Sequence, residues 1–181
     1  MFHNRLNFLN VVAQATKRAA IIAIAVTISV ASHAQTKGDM ATGGNLVIGT
    51  GNSYTNIGIG AKFLYNVTDP IRLGGEFDFF PKKDYTSWWD FSVYGHYLFS
   101  VADRVNVFPS VGLGLVGARV SFPDLFGYGG GSYSSSWFAL SLGGGADIAL
   151  SDNLFLTGEL RLKIFENSTR INLTFGVAYK F

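Results

Sequence analysis

The sequence predicts an all-β protein, an eight-stranded antiparallel up-and-down transmembrane β-barrel preceded by a cleaved signal peptide. Three observations lead there. Apolar residues alternate at period two with small or polar ones through nearly the whole chain beyond residue 34. The polar rows are built mainly of Gly, Ser and Thr, not of the long charged side chains that cover a soluble exterior. The alternating stretches run to about 10 residues, which at a tilt near 45° is the height of a bilayer's apolar core. Composition points the same way: 48% hydrophobic residues and 14% charged ones are too apolar a mixture for a disordered chain. The chain has no cysteine, which excludes a disulfide framework and any cysteine-ligated zinc or iron–sulfur centre.

The first element is the segment 1–34. Arg5, Lys17 and Arg18 precede the apolar run 19–31, and Ser32-His33-Ala34 follows it. A basic region, a short apolar region and small residues at −3 and −1 form the pattern of a secretory signal peptide, and a spanning helix needs about 20 apolar residues. Cleavage is expected between Ala34 and Gln35, leaving a β-barrel domain over 35–181. The segment carries three basic residues and no acidic one, so the formal charge of +2 belongs to it and the domain is close to neutral. Nucleic acid is therefore not an expected partner.

The strands follow in order at 45–50, 56–65, 71–79, 89–99, 105–115, 138–150, 154–164 and 171–181. Short connections at 66–70, 100–103 and 151–153 hold the Asp, Asn, Pro and Ser of tight turns. Between them lie the more variable segments 51–55, 81–87, 119–136 and 166–168. Short turns on one side and variable loops on the other suit an up-and-down barrel with both termini on the short-turn side. In each strand one row is Ile, Leu, Val and Phe, as in Ile57, Ile59, Ala61 and Phe63; the other holds Gly58, Gly60 and Lys62. Small residues suit a lumen that eight strands leave barely wide enough for side chains, and the apolar row suits lipid. Tyr65, Tyr97, Phe99, Tyr179 and Phe181 lie toward the short turns; Phe79, Trp89, Phe91 and Phe138 lie toward the loops. They read as two interfacial girdles.

Charges on the inward rows form the first candidate site. Lys62, Arg72, Arg161 and Lys163 face Glu76, Asp78, Asp90, Asp147 and Glu159, so four positive groups meet five negative ones. Buried charge is costly unless paired, which predicts a salt-bridged plug; the alternative is a gate lining a narrow conduit. The segment 119–136 is the second candidate. Its Phe122, Phe126, Tyr128 and Tyr133 offer contact area to a partner or glycan, and the alternative is a variable cap. Residues 112–117 spell G-x-G-x-x-G, but alternation runs straight through them where a dinucleotide site needs a strand-to-helix turn. His96, the only histidine beyond residue 34, has no neighbouring serine of a His-x-Ser pair. Neither catalysis, nor a metal, nor any cofactor is expected.

The last strand, Ile171-Asn-Leu-Thr-Phe-Gly-Val-Ala-Tyr-Lys-Phe181, alternates and ends on an aromatic residue. In this, and in its overall pattern, the chain resembles the small eight-stranded outer-membrane β-barrels of Gram-negative bacteria, a "porin family" that includes the OmpA transmembrane domain, OmpX and opacity-type proteins. The resemblance implies a bacterial outer-membrane location with periplasmic termini, and contact with outer-membrane lipid and lipopolysaccharide. It also implies that Phe175, Val177, Tyr179 and Phe181 form the signal read by the outer-membrane assembly machinery. A structural or surface-interaction role is the expected function. A narrow porin-like channel and a lipid-modifying enzyme are the alternatives.

Overall fold

A computed structural model describes residues 36–51, 54–122, 131–166 and 168–181. The expected signal peptide and its cleavage site lie outside them, as do Phe126 and Tyr128. The described chain forms β1 (Met40–Gly51), β2 (Tyr54–Asn66), β3 (Ile71–Lys83), β4 (Thr86–Tyr97), β5 (Phe99–Ala102), β6 (Val105–Ser121), β7 (Ser132–Ala149), β8 (Leu154–Phe165) and β9 (Ser168–Lys180). Neighbours pair antiparallel in chain order, β1 pairs with β9, and β4 pairs with β6, so the sheet closes on itself. β4 and β5 are two pieces of one stave, both pairing with β6 and parted at Leu98, whose N–H bonds to Pro70 instead. The result is an eight-stranded antiparallel barrel.

Period two sorts the residues by face. The apolar rows point out: Ile57, Ile59, Val111, Leu142, Leu160 and Phe175 are all exposed. The charged and small residues point in and are buried, which inverts a soluble protein and fits a barrel wrapped in lipid. Phe79, Phe91 and Phe138 ring one end of the outer wall, with Tyr97, Tyr179 and Phe181 at the other. Two glycines make close packing possible. Gly74 faces the lumen beneath the Tyr94 ring, and Gly117 faces outward beneath the Trp89 indole; a Cβ at either would meet the ring.

Several strands run past their expected ends. The segment 81–87 contracts to a two-residue turn between Lys83 and Thr86, with Asp84 and Tyr85 both at positive φ, as a tight hairpin requires. A bulge between Phe80 and Lys83 accommodates Pro81, which has no N–H to give the ladder. The segment 119–136 contracts further. β6 continues to Ser121 and β7 starts at Ser132, in unbroken register from Val105↔Ile148 to Ser121↔Ser132. Its polar serines signal a loop, but on both flanks they form a ribbon that stands above the lipid and has no need of apolar side chains.

The chain ends meet at the β1–β9 seam. Lys180 lies 3.3 Å from Asp39, the Phe181 N–H bonds to the Met40 carbonyl, and the Lys180 N–H bonds to Asn153. The Thr36 N–H and hydroxyl both donate to Asp39. Partial burial pushes the Asp39 carboxyl up, but the Thr36 donors and the Lys180 ammonium prevail and hold it below the usual carboxylate range.

Candidate functional site

The inward rows bring five cations and five carboxylates into the lumen, all buried: Lys62, Arg72, Arg161, Lys163 and Arg170 against Glu76, Asp78, Asp90, Asp147 and Glu159. Arg170 is the member that sequence reasoning missed, and it makes the formal charge balance. It lies just before the apolar alternation of the last strand begins, so its period-two relation to Asn172 and Thr174 was the available signal.

The network has three tiers. Nearest the short turns, the Arg72 guanidinium donates to Asp147 at 2.6 Å and to His96 Nδ1 at 2.9–3.2 Å. The same guanidinium lies 5.0 Å from the Phe108 ring centroid and 6.0 Å from that of Phe155. His96 stacks on both Tyr94 and Phe108, at 4.7 and 4.1 Å between centroids. An arginine only donates, so Nδ1 is the acceptor and the ring proton sits on Nε2, which lies 3.7 Å from Glu159. His96 is thus bonded to Arg72 through Nδ1, while its buried Nε2 has no hydrogen-bond partner among the described residues.

In the middle tier Arg161 holds Glu159 through two parallel bonds of 2.9 and 2.6 Å, the fork geometry that makes guanidinium–carboxylate pairs strong. It also reaches Glu76 at 3.1 Å and lies 4.2 Å from the Tyr94 ring centroid. Asn45 donates to the second oxygen of Glu76 at 3.0 Å. Lys62 stands directly opposite Glu76 in the β2–β3 register, yet among the described residues it makes no ion pair. Glu76, Glu159 and Arg161 thus form the ionic core of this tier, and Asn45, not Lys62, bonds the second oxygen of Glu76. Toward the loops, Lys163 donates to Asp90 at 2.9 Å and to Ser92 at 3.0 Å, and Arg170 pairs with the same Asp90 oxygen while bonding Asn172 at 3.0 Å. Asp78 faces Asp90 across the β3–β4 register, fully buried, with neither oxygen hydrogen-bonded.

Aromatic residues close the loop-side end of this column. Phe80 and Phe165 pack over Arg170, at 4.9 and 5.9 Å from its guanidinium carbon to the ring centroids. Trp137 lies between Trp88 and Phe165, at 6.3 and 6.4 Å. Above them rises the ribbon of β6 and β7, at whose upper end Phe122 and Tyr133 are 60% and 69% exposed. Lys82, Lys83 and Arg119 are exposed on the same side, and Lys82 lies 5.4 Å from the Tyr85 ring centroid. On the lipid face of β9, Phe175, Val177, Tyr179 and Phe181 form one exposed row. The G-x-G-x-x-G residues Gly112–Gly117 lie within β6, with no helix after them.

The family described as outer membrane protein beta-barrel domain matches residues 19–181. No curated protein sequence matches the chain. Among solved structures the chain is similar to Ail, the attachment invasion locus protein of Yersinia pestis, with 18% identity and a TM-score of 0.58 over 81% of this chain and all of that one. It is similar to Neisserial surface protein A, with 16% identity and a TM-score of 0.60 over 79% of this chain and 96% of that one. The N-terminal β-barrel domain of Pseudomonas aeruginosa OprF matches with 16% identity and a TM-score of 0.56, over 81% of this chain and all of that one. At these identities the likeness is one of fold.

Proposed function

The chain belongs to the outer membrane protein β-barrel family, a family of the bacterial outer membrane, and we propose that it serves there as a non-conducting anchor whose function is carried by its loop side. The observation that carries this reading is the filled lumen. Three tiers of buried ion pairs, with aromatic side chains packed against them, occupy the lumen of an eight-stranded barrel, which supports this reading. Arg72, Arg161, Lys163 and Arg170 are each held by a carboxylate, which supports a plug over a path for ions. The termini are periplasmic and the ribbon is extracellular. We do not propose catalysis: His96, the only histidine among the described residues, is enclosed by Arg72, Tyr94, Phe108 and Glu159.

Lys82, Lys83 and Arg119, against Asp84 and Glu166, leave the loop-side rim with a net positive charge among its described exposed residues, beside exposed aromatic rings. Phosphate groups of lipopolysaccharide and sulfated glycans suit such a rim. A structure of Ail holds the heparin analogue sucrose octasulfate, which makes a polyanion the first soluble ligand to try. A narrow channel is the second reading, favoured by the unpartnered oxygens of Asp78 and by Ser110, Ser141 and Thr157, which water would satisfy. Single-channel recording on refolded protein separates the two. The anchor gives no stable conductance, whereas reproducible ion steps that change with Glu159→Gln would establish the channel.

A further inference from the structure

The short-turn mouth of the lumen holds polar groups that the plug does not use. Asn106 on β6 stands directly opposite Asp147 on β7, and the chain then turns back through residues 150–153 into β8. That turn is tightly folded. The Leu150 and Ser151 N–H groups both bond the Leu154 carbonyl, and the Asn153 side chain donates to the Lys180 carbonyl at 2.9 Å. Asn106, Asp147, Ser151 and Asp152 line one cavity of about 20 Å³, with Lys180 also on its wall. That is room for one water-sized occupant.

The lining is rich in oxygen donors and incompletely satisfied. Asp147 is 2% exposed; its Oδ2 accepts from Arg72, while Oδ1 has no hydrogen-bond partner among the described residues. Thr157, opposite Asp147 in the β7–β8 register, has a buried hydroxyl in the same condition. Buried polar atoms ordinarily have a partner, so Asp147 Oδ1 calls for one from solution. Asp152 is exposed and has no ion-pair partner among the described residues. Asn106 is held by the Ser100 hydroxyl, which donates to its side-chain oxygen at 2.7 Å and leaves that oxygen a second lone pair. The ammonium of Lys180 lies 3.3 Å from Asp39 and is neutralised there.

We propose that this cavity is a site for one hard divalent cation of the calcium class, held by Asp147 Oδ1, the Asp152 carboxylate, and the side-chain oxygens of Asn106 and Ser151, with water completing its shell. Oxygen donors without histidine or cysteine suit Ca²⁺ and not zinc. A water molecule satisfies Asp147 Oδ1 but brings no countercharge to Asp152, whereas one cation serves both. Ca²⁺ tolerates irregular geometry, while Mg²⁺ demands a near-ideal octahedron and gives up its waters reluctantly. Only two carboxylates line the cavity, so binding belongs to the weak class, with half-saturation at about 0.1–1 mM. The bound ion ties β6 and β7 to the β7–β8 turn beside the Arg72–Asp147 pair. The site lies at the opposite end from the loop-side ribbon, so it stands or falls independently of the anchor reading.

The test uses the whole barrel refolded in a non-ionic detergent, without phospholipid or lipopolysaccharide, whose phosphates bind calcium themselves. The probe is Ca²⁺ alone, followed by equilibrium dialysis and by the urea midpoint at constant ionic strength. One ion per barrel is expected, with a midpoint that rises as the site fills. Asp152→Asn, a change on an exposed turn, weakens binding about tenfold or more and leaves unboiled gel mobility and the calcium-free midpoint unchanged. Asp69→Asn and Asp84→Asn remove carboxylates from other turns and leave binding as it was. Asn106→Asp adds a carboxylate to the lining and tightens binding, as ligand charge does in oxygen-ligated calcium sites. Four outcomes overturn the proposal: no binding about tenfold above the expected half-saturation, binding indifferent to Asp152→Asn, equal losses in Asp69→Asn or Asp84→Asn, or a midpoint shift that Na⁺ reproduces at matched ionic strength. None of these bears on whether the lumen conducts or on what the loop side binds.

Discussion

Arg161 is the residue on which the lumen depends most, because one guanidinium satisfies Glu159, Glu76 and the Tyr94 ring together. Deleting one partner of such a buried pair strands the other, at a cost of about 3–5 kcal/mol. Glu159→Ala should therefore lower the urea midpoint far more than Lys82→Ala on the exposed rim. Equal midpoints would mean that the pair is solvated. Adjacent glycines provide a second test. A Cβ at Gly74 meets the Tyr94 ring, while one at Gly75 points to lipid and meets nothing within 4 Å. Gly74→Ala should destabilise by about 1–3 kcal/mol, as overpacking does, and Gly75→Ala should leave refolding equilibria almost unchanged. The inward charges were legible from period two alone. Their partners were not, because which side chains meet across a barrel depends on strand tilt and stagger, and sequence spacing encodes neither. Thus the Arg72–His96 contact and the displacement of Lys62 from ion pairing emerge only in three dimensions.

At the scale of strands, β8 offers a direct comparison of faces. Leu160 is 55% exposed to the bilayer and Thr157 is buried in the lumen. Leu160→Arg should cost about 2–4 kcal/mol near the midplane, and Thr157→Ser should be tolerated, as folding yields into lipid vesicles would report. The β1–β9 seam gives a pH dependence. Asp39 titrates lower in the folded protein than in the unfolded chain, so its contribution is complete above the ordinary carboxylate range and is lost as pH falls through the folded value. Wild type should lose up to about 1 kcal/mol below pH ~4 that Asp39→Asn never had, a small amount because the pair is partly solvent-screened. Deleting Phe181 separates packing from assembly. Refolding in vitro should be near normal while outer-membrane levels fall in cells, and normal levels would remove the assembly role from this residue. Strand number and order were readable from turns and alternation. The extent of β3, β6 and β7 was not, because Ser, Lys and Pro mark loops in water-soluble sheets, whereas these strands leave the lipid while still paired.

The barrel carries its hydrophobic surface outside and its polar core inside. The low charge of the polar rows predicted that inversion from the sequence, and the exposed Ile, Leu and Phe rows display it. What the lumen does with its ten charges decides between an anchor and a conduit. The absence of cysteine makes this measurable, since any introduced thiol is unique. Ser141→Cys and Thr157→Cys place a near-isosteric thiol on the lumen wall among the tiers, and Leu160→Cys places one on the lipid face. The reagent is a charged, membrane-impermeant methanethiosulfonate, applied to refolded protein in sealed vesicles. A plugged lumen predicts that all three positions stay unlabelled while folded, and that all react once the barrel is opened in urea. Rapid labelling of folded Ser141→Cys and Thr157→Cys, with Leu160→Cys still protected, would show a water-filled passage and contradict the account.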